Sequence, residues 1–187
     1  MTRNPDFRHL TDAELVRASL DGSDSAFGEL VRRYQDLLYR HAERMTGRPD
    51  DAEDVVQAAF IKAHRGLRHC RDREKVGAWL FRIGANACKD HLKSKHRRAL
   101  PIDDVRSVAA QSGNPEVSAD RADLRRQIEQ ALRRLPAEQR EAFVMKHVEG
   151  WSYAEIADCL GISVPALKMR VHRAREELRG LLEAYRT

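Results

Sequence analysis

"SYAEIADCLGISVPALKMRVHRARE", Ser152 to Glu176, breaks one amphipathic run at a glycine and opens a second that is dense in cations. Ser152 and Glu155 have capping-box spacing ahead of Ile156, Ala157 and Leu160, so the first run reads as a helix from its first residues. Gly161 can adopt the left-handed backbone that ends it. Ser163 can cap the next helix, and Pro165 is tolerated there only in the first turn. Two helices joined by so short a turn cross steeply, which is the helix-turn-helix arrangement.

Along the second helix, residues advance by about 100° each, which gathers Val164, Leu167, Val171, Ala174 and Leu178 on one side to pack inward. Pro165, Met169, His172, Arg173 and Glu176 then face outward, with Lys168, Arg170 and Arg175 on the flanks. In a DNA major groove, arginine donates two hydrogen bonds to guanine O6 and N7, while flanking cations neutralise phosphates. The competing reading is a cationic face that only meets water. Capping box, turn glycine and N-terminal placement together favour DNA.

Composition agrees without deciding. The 187-residue chain is 34% charged and carries a formal charge of +5, which suits a polyanionic partner. No apolar run nears the roughly 20 residues needed to span a bilayer, and Met1 to Leu10 has no signal-peptide core, so the expectation is a cytoplasmic protein without membrane insertion. The three cysteines, Cys70, Cys88 and Cys159, are odd in number and lack CxxC pairing, which points to reduced thiols. Cys88 and His91 at i, i+3, with His69 adjoining Cys70 and His64 upstream, make a metal or redox sensor imaginable, but the spacing follows no recurrent ligand pattern. No cofactor or metal is expected. The absence of a P-loop, a nucleophile elbow and HExxH argues against an enzyme.

Upstream, apolar residues recur at helical spacing and no segment alternates like a strand, so the fold class is all-α, two small helical domains joined by a flexible linker. Thr11 and Glu14 form a capping box before a short helix closed by Gly22. Phe27, Leu30, Val31, Tyr34, Leu37, Leu38, His41 and Met45 form one stripe; Ala52, Val55, Val56, Ala59, Phe60, Ala63 and Leu67 form a second. A fourth helix is predicted over about Ala78 to Ser94, packing Leu80, Ile83 and Ala87. Between Arg98 and Ala119 the periodicity fails in a stretch rich in Pro, Gly, Ser and Asn, which reads as a tether. The expected division is 1–98, a linker at 99–120, and 121–187. In the last part, Leu124, Ile128, Ala131, Leu132 and Leu135 mark one helix. Pro136 suits the start of another, which carries Phe143, Val144 and Val148.

The most specific stretches are "DAEDVVQAAFIKAHRGL" and "WLFRIGANACKDHLKSKHRR" in the first module, and "LRRLPAEQREAFVMKHVEGWSYAEIADCLGIS" and "RVHRAREELR" in the second. In this order and spacing the chain, from about Ala26 to Leu182, resembles the sigma-70 family, specifically its extracytoplasmic-function (group IV) type, which retains regions 2 and 4. The resemblance implies a dissociable transcription-initiation subunit. Such a subunit binds core RNA polymerase through the β′ clamp helices and β flap, reads minus-35 promoter DNA with region 4, and reads and opens the minus-10 element with region 2. It also implies an anti-sigma partner.

Carried onto this sequence, the resemblance assigns Asp51, Asp54, Gln57 and Ile61 to the polymerase interface. It assigns His69, Cys70, Arg71, Arg73, Arg82, Asn86, Lys89 and Lys93 to minus-10 DNA, and Ser163, Pro165, Lys168, Met169, His172 and Arg173 to minus-35 DNA. The loop "HCRDREKVGAW" departs from the family: Cys70 and Val76 stand where many relatives carry phenylalanine, and His64 where tryptophan is frequent. An atypical minus-10 preference follows as an expectation. The rival function is a helix-turn-helix regulator that acts without polymerase and uses its first module for sensing or dimerisation.

Overall fold

Regular structure is helical throughout the described residues of the computed structural model, 7–98 and 115–183. After a 3-10 turn at Phe7–His9, α1 (Asp12–Leu20) begins at the capping box that its sequence requires. Thr11 Oγ1 accepts from the Glu14 backbone, and the Glu14 carboxylate accepts from Thr11 N at 2.7 Å. α2 (Asp24–Thr46) is capped by Ser23 and ends at Gly47. α3 (Pro49–Gly66) starts on a proline, whose missing N–H would have had no helical partner. Two more 3-10 turns, Leu67–His69 and Arg73–Lys75, lead into α4 (Val76–Arg98).

Leu15 and Val16 of α1, Phe27, Leu30 and Leu38 of α2, Phe60 and Ala63 of α3, and Leu80, Phe81 and Ala85 of α4 share one buried core. Burying each large side chain contributes about 1.5–3 kcal/mol relative to leaving it in water. α4 lies close enough on α2 that a Cβ at Gly77 would sit 2.7 Å from the Tyr34 ring, so only glycine fits there without displacement.

α5 (Pro115–Arg134) begins inside the stretch expected to be tether, because a proline at the first helical position starts a helix as readily as it populates a loop. The rest of the expected linker, 99–114, lies outside the described residues. α4 likewise runs past the expected Ser94 to Arg98. α6 (Ala137–Phe143) opens after Pro136 and passes into a π turn, Val144–Val148. That wider turn shifts the phase of the side chains after it: Val148, read from sequence as part of the apolar set, is exposed, while the Glu149 carboxylate is buried. α7 (Tyr153–Leu160) and α8 (Val164–Glu183) complete the chain.

The two modules do not stand apart. α4 packs against α6 and α7, and α2 against α6. Phe81 packs on Trp151 with ring centroids 4.7 Å apart and the rings inclined at 43°. Among the described residues, no helix is long and apolar enough to cross a membrane.

Candidate nucleic-acid interface

The helix-turn-helix forms as its local signals require. Ser152 and Glu155 exchange both capping bonds, and Gly161 takes the left-handed conformation with φ of 67°. Ser163 Oγ then accepts from Ala166 N at 3.3 Å at the start of α8. Leu167, Val171, Ala174 and Leu178 are buried, and Val164 is partly so. Ser163, Pro165, Lys168, Met169, His172 and Arg173 are all exposed on the other face, Met169 at 52%. An unbranched thioether left so open beside Lys168 and Arg173 gives this face an apolar contact point as well as charge. The Lys168 ammonium lies 5.7 Å from the centroid of the Tyr153 ring, which keeps it at the α7 edge of the face. Arg170, on the flank, turns instead towards Glu138 of α6 at 3.4 Å.

The second candidate surface comes from the 3-10 turns and α4. His69, Arg71, Arg73, Arg82, Asn86 and Lys93 are exposed there. Cys70 is not: it is 6% exposed and its thiol points to the Asp72 carbonyl, because this apolar side chain supplies the buried anchor of a loop otherwise made of charges. Lys89 is held as well, 19% exposed, with its ammonium 3.3 Å from Glu141 of α6.

Behind the loop stands α1, which packs against both 3-10 turns and α4. Arg33 ties it down by pairing with Asp12 at 2.7 Å and donating to the carbonyls of Arg8 and Leu10, while the Tyr34 hydroxyl donates to the other Asp12 oxygen. Glu29 completes the group; hydrogen bonds from Arg32 and then Arg33 outweigh its burial and hold its carboxyl down at about 2.

On α3, Asp54, Gln57 and Ile61 present one exposed face, with Ile61 at 47%. Asp51 does not join them. Its carboxylate is partly buried and engages Lys95 at 2.6 Å and His91 at 3.3 Å, clamping α3 to α4. Burial opposes its ionisation, but these cations prevail and keep its pKa below the usual value. Cys88 and His91 therefore part company: the thiol enters the core beside Ala42, Met45 and Val55, while the imidazole turns to Asp51. Burial pushes the Cys88 and Cys159 thiols up to about 12, far from thiolate chemistry at neutral pH. No group of His, Cys, Asp and Glu suited to a metal ion occurs among the described residues.

Residues 30–98 match the family profile Sigma-70 region 2, and residues 125–178 match Sigma-70, region 4. The ECF RNA polymerase sigma factor SigM of Mycobacterium tuberculosis is 38% identical over 173 residues, covering 92% of this chain and 85% of that one. This chain belongs to the sigma-70 family, among its ECF sigma factors. The ECF RNA polymerase sigma-E factor of Escherichia coli is 34% identical over 179 residues, covering 90% of this chain and 93% of that protein. Among solved structures, CnrH in complex with the cytosolic domain of CnrY aligns with a TM-score of 0.65 at 32% identity, covering 92% of this chain and 97% of that one. The sigma factor RpoE of Bartonella quintana, solved with the anti-sigma factor NepR, aligns at 0.63 and 28% identity over 84% of this chain and 96% of that one.

In this ECF factor, the region 2 match covers α2 to α4 and leaves α1, the brace behind the loop, outside it. What sequence reading missed is the contact between the modules: His41, Phe81, Arg140, Glu141, Glu149 and Trp151. A signal was present, since Phe81, Ala85 and Cys88 at i, i+4, i+7 make a second buried stripe on α4, beside the one read from Leu80, Ile83 and Ala87.

Proposed function

We propose that this ECF sigma factor directs core RNA polymerase to promoters by reading minus-35 duplex with α8 and reading and opening the minus-10 element with α4 and the preceding turns. The observation that carries this is the pairing, on one chain, of an exposed base-reading face on α8 with an exposed cationic face on α4, within matches to regions 4 and 2 in that order. Ser163, Pro165, Lys168, Met169, His172 and Arg173 form the first face; His69, Arg71, Arg73, Arg82, Asn86 and Lys93 form the second, with Lys89 beside it held by Glu141. Opening uses binding energy, since unpairing costs a few kcal/mol that contacts to the captured strand offset, and no bond chemistry is required of the protein.

Asp54, Gln57 and Ile61 would dock on the polymerase β′ clamp helices, with Asp51 supporting them through α4, and region 4 would meet the β flap. The working division of the chain is 1–98, a linker from residue 99, and a second module opened by α5 at Pro115 rather than at the expected residue 121. Function is placed in the cytoplasm, beside the polymerase. An anti-sigma protein is the expected antagonist, by analogy with the NepR complex of the related RpoE.

The test is reconstitution. Promoter-specific transcripts should appear only when the protein and core polymerase are both present, and the protein alone should bind promoter duplex poorly. Tight, sequence-specific binding without polymerase, together with no stimulated transcript, would replace this reading with that of a conventional regulator. Exchanging "HCRDREKV" for a relative's loop should then change minus-10 preference in the same assay.

A further inference from the structure

The outward face of α8 changes character along its length. Its first half is apolar: Pro165 and Ala166 lie one turn before Met169, and all three are exposed. Its second half is cationic, through His172 and Arg173. The other three arginines of the helix are engaged within the protein. Arg170 reaches Glu138 at 3.4 Å, Arg175 lies 3.5 Å from the His147 imidazole, and Arg179 pairs with Glu176 at 3.3 Å. The side chains of His172 and Arg173 make no ion pair or hydrogen bond among the described residues, which leaves them for an outside partner.

A single exposed apolar side chain is ordinary, but three in contact on the face that enters a groove form a surface. Laid against base edges, such a surface displaces water from donors and acceptors and offers them no hydrogen bond in return, which is unfavourable. One major-groove group escapes that cost. Thymine presents its C5-methyl there, and no other base presents an apolar group.

We propose that Met169 is a specificity-determining residue of the minus-35 contact, packing its side chain on a thymine methyl. Methionine suits the task, since its unbranched chain and polarizable sulfur reach and adapt where a shorter side chain would leave a gap. Pro165 and Ala166 border the contact and exclude water from it. Arg173 lies four residues on, about 6 Å along the axis at roughly 1.5 Å per residue. Base pairs stack at about 3.4 Å, so the thymine lies within about two base pairs of the guanine that Arg173 reads. The methyl contact rests on the promoter reading of α8 and adds to it the chemistry of one base pair.

The test is transcription by the protein with core polymerase from promoters randomised over the minus-35 element, followed by base analogues in the duplex so selected. Each thymine of that element is replaced in turn by uracil, which removes only the methyl. One thymine, within about two base pairs of the guanine whose preference is lost in Arg173→Ala, should respond. Uracil there should lower transcript about fourfold at limiting protein, the worth of one buried methyl group, and 5-bromouracil, whose bromine fills the methyl's place, should restore it. In Met169→Ala, thymine and uracil should serve alike, whereas Met169→Leu should keep the discrimination. A change in duplex shape alone would persist in the alanine variant, so the coupling isolates the contact. A selected element without such a thymine, a parent indifferent to uracil, or an equal response in Met169→Ala would overturn the methyl contact. Selective transcription that ignores the methyl rejects this contact alone and leaves Met169 to a protein partner. A pool that yields no sequence-selective transcript rejects the promoter reading of α8 itself, and the methyl contact with it.

Discussion

The two candidate DNA-reading surfaces are built on opposite principles. On α8 the exposed face is the complement of a regular apolar stripe, so each outward residue follows from helical period and needs only Leu167, Val171 and Ala174 to be buried. The loop before α4 has no such period. Its two 3-10 turns are placed by Cys70 and Val76 turned inward, by α1 behind them and by the tight seat of Gly77 on Tyr34. The first surface follows from the period of its own helix, whereas the second rests on α1, a helix more than fifty residues away in sequence from the outward groups of α4.

That contrast can be broken most forcefully at its apolar foundation. Leu167→Ala should destabilise the carboxy-terminal module by about 2–5 kcal/mol, seen in urea unfolding, because a fully buried leucine leaves a cavity that its neighbours fill only in part. Minus-35 binding should fall with it while minus-10 preference is retained. Gly77→Ala should cost about 1–3 kcal/mol through crowding against Tyr34, and should alter minus-10 selectivity with minus-35 preference unchanged. Equal loss at both elements would deny the independence of the two surfaces.

Within α8 the comparison sharpens to single contacts. Arg173→Ala should cost about 1–3 kcal/mol of minus-35 affinity and relax sequence preference, whereas Lys168→Ala should weaken all sequences alike and flatten the salt dependence by about one unit of slope. Both variants should be measured on matched and scrambled duplexes over a range of salt.

The smallest expected effect concerns the brace. Because Arg32 and Arg33 hold the Glu29 carboxyl down at about 2, the unfolded chain binds the extra proton over the interval up to the usual carboxylate range. Glu29 therefore contributes stability that is fully present above that range and lost as pH falls towards about 2. The difference in melting temperature between the parent and Glu29→Gln should be constant near neutrality and close on acidification; a difference that widens in acid would contradict this assignment.

Much of the site was legible because its signals are local. Thr11 with Glu14, Ser152 with Glu155, Gly161 and the outward set from Ser163 to Arg173 all follow from bonds or spacings within a few residues. Three side chains are set by features that residue spacing does not show. Asp51 is claimed by Lys95 and His91, and Cys70 is needed as an anchor. Glu149 is turned inward by a π turn that no spacing rule anticipated.

The sequence by itself determined the helices, their caps, the two apolar stripes of the first module and the outward face of α8, since each is governed by backbone geometry and a period of 3.6 residues. Only the tertiary structure decided which cations are free and which are held. Lys89 and Lys93 look alike in sequence, four residues apart on one helix; Lys89 meets a buried carboxylate from α6 and Lys93 meets solvent. A charge carries no record of its partner until the chain has folded, because the attraction depends on distance and on the exclusion of water, and neither is written in the spacing of residues.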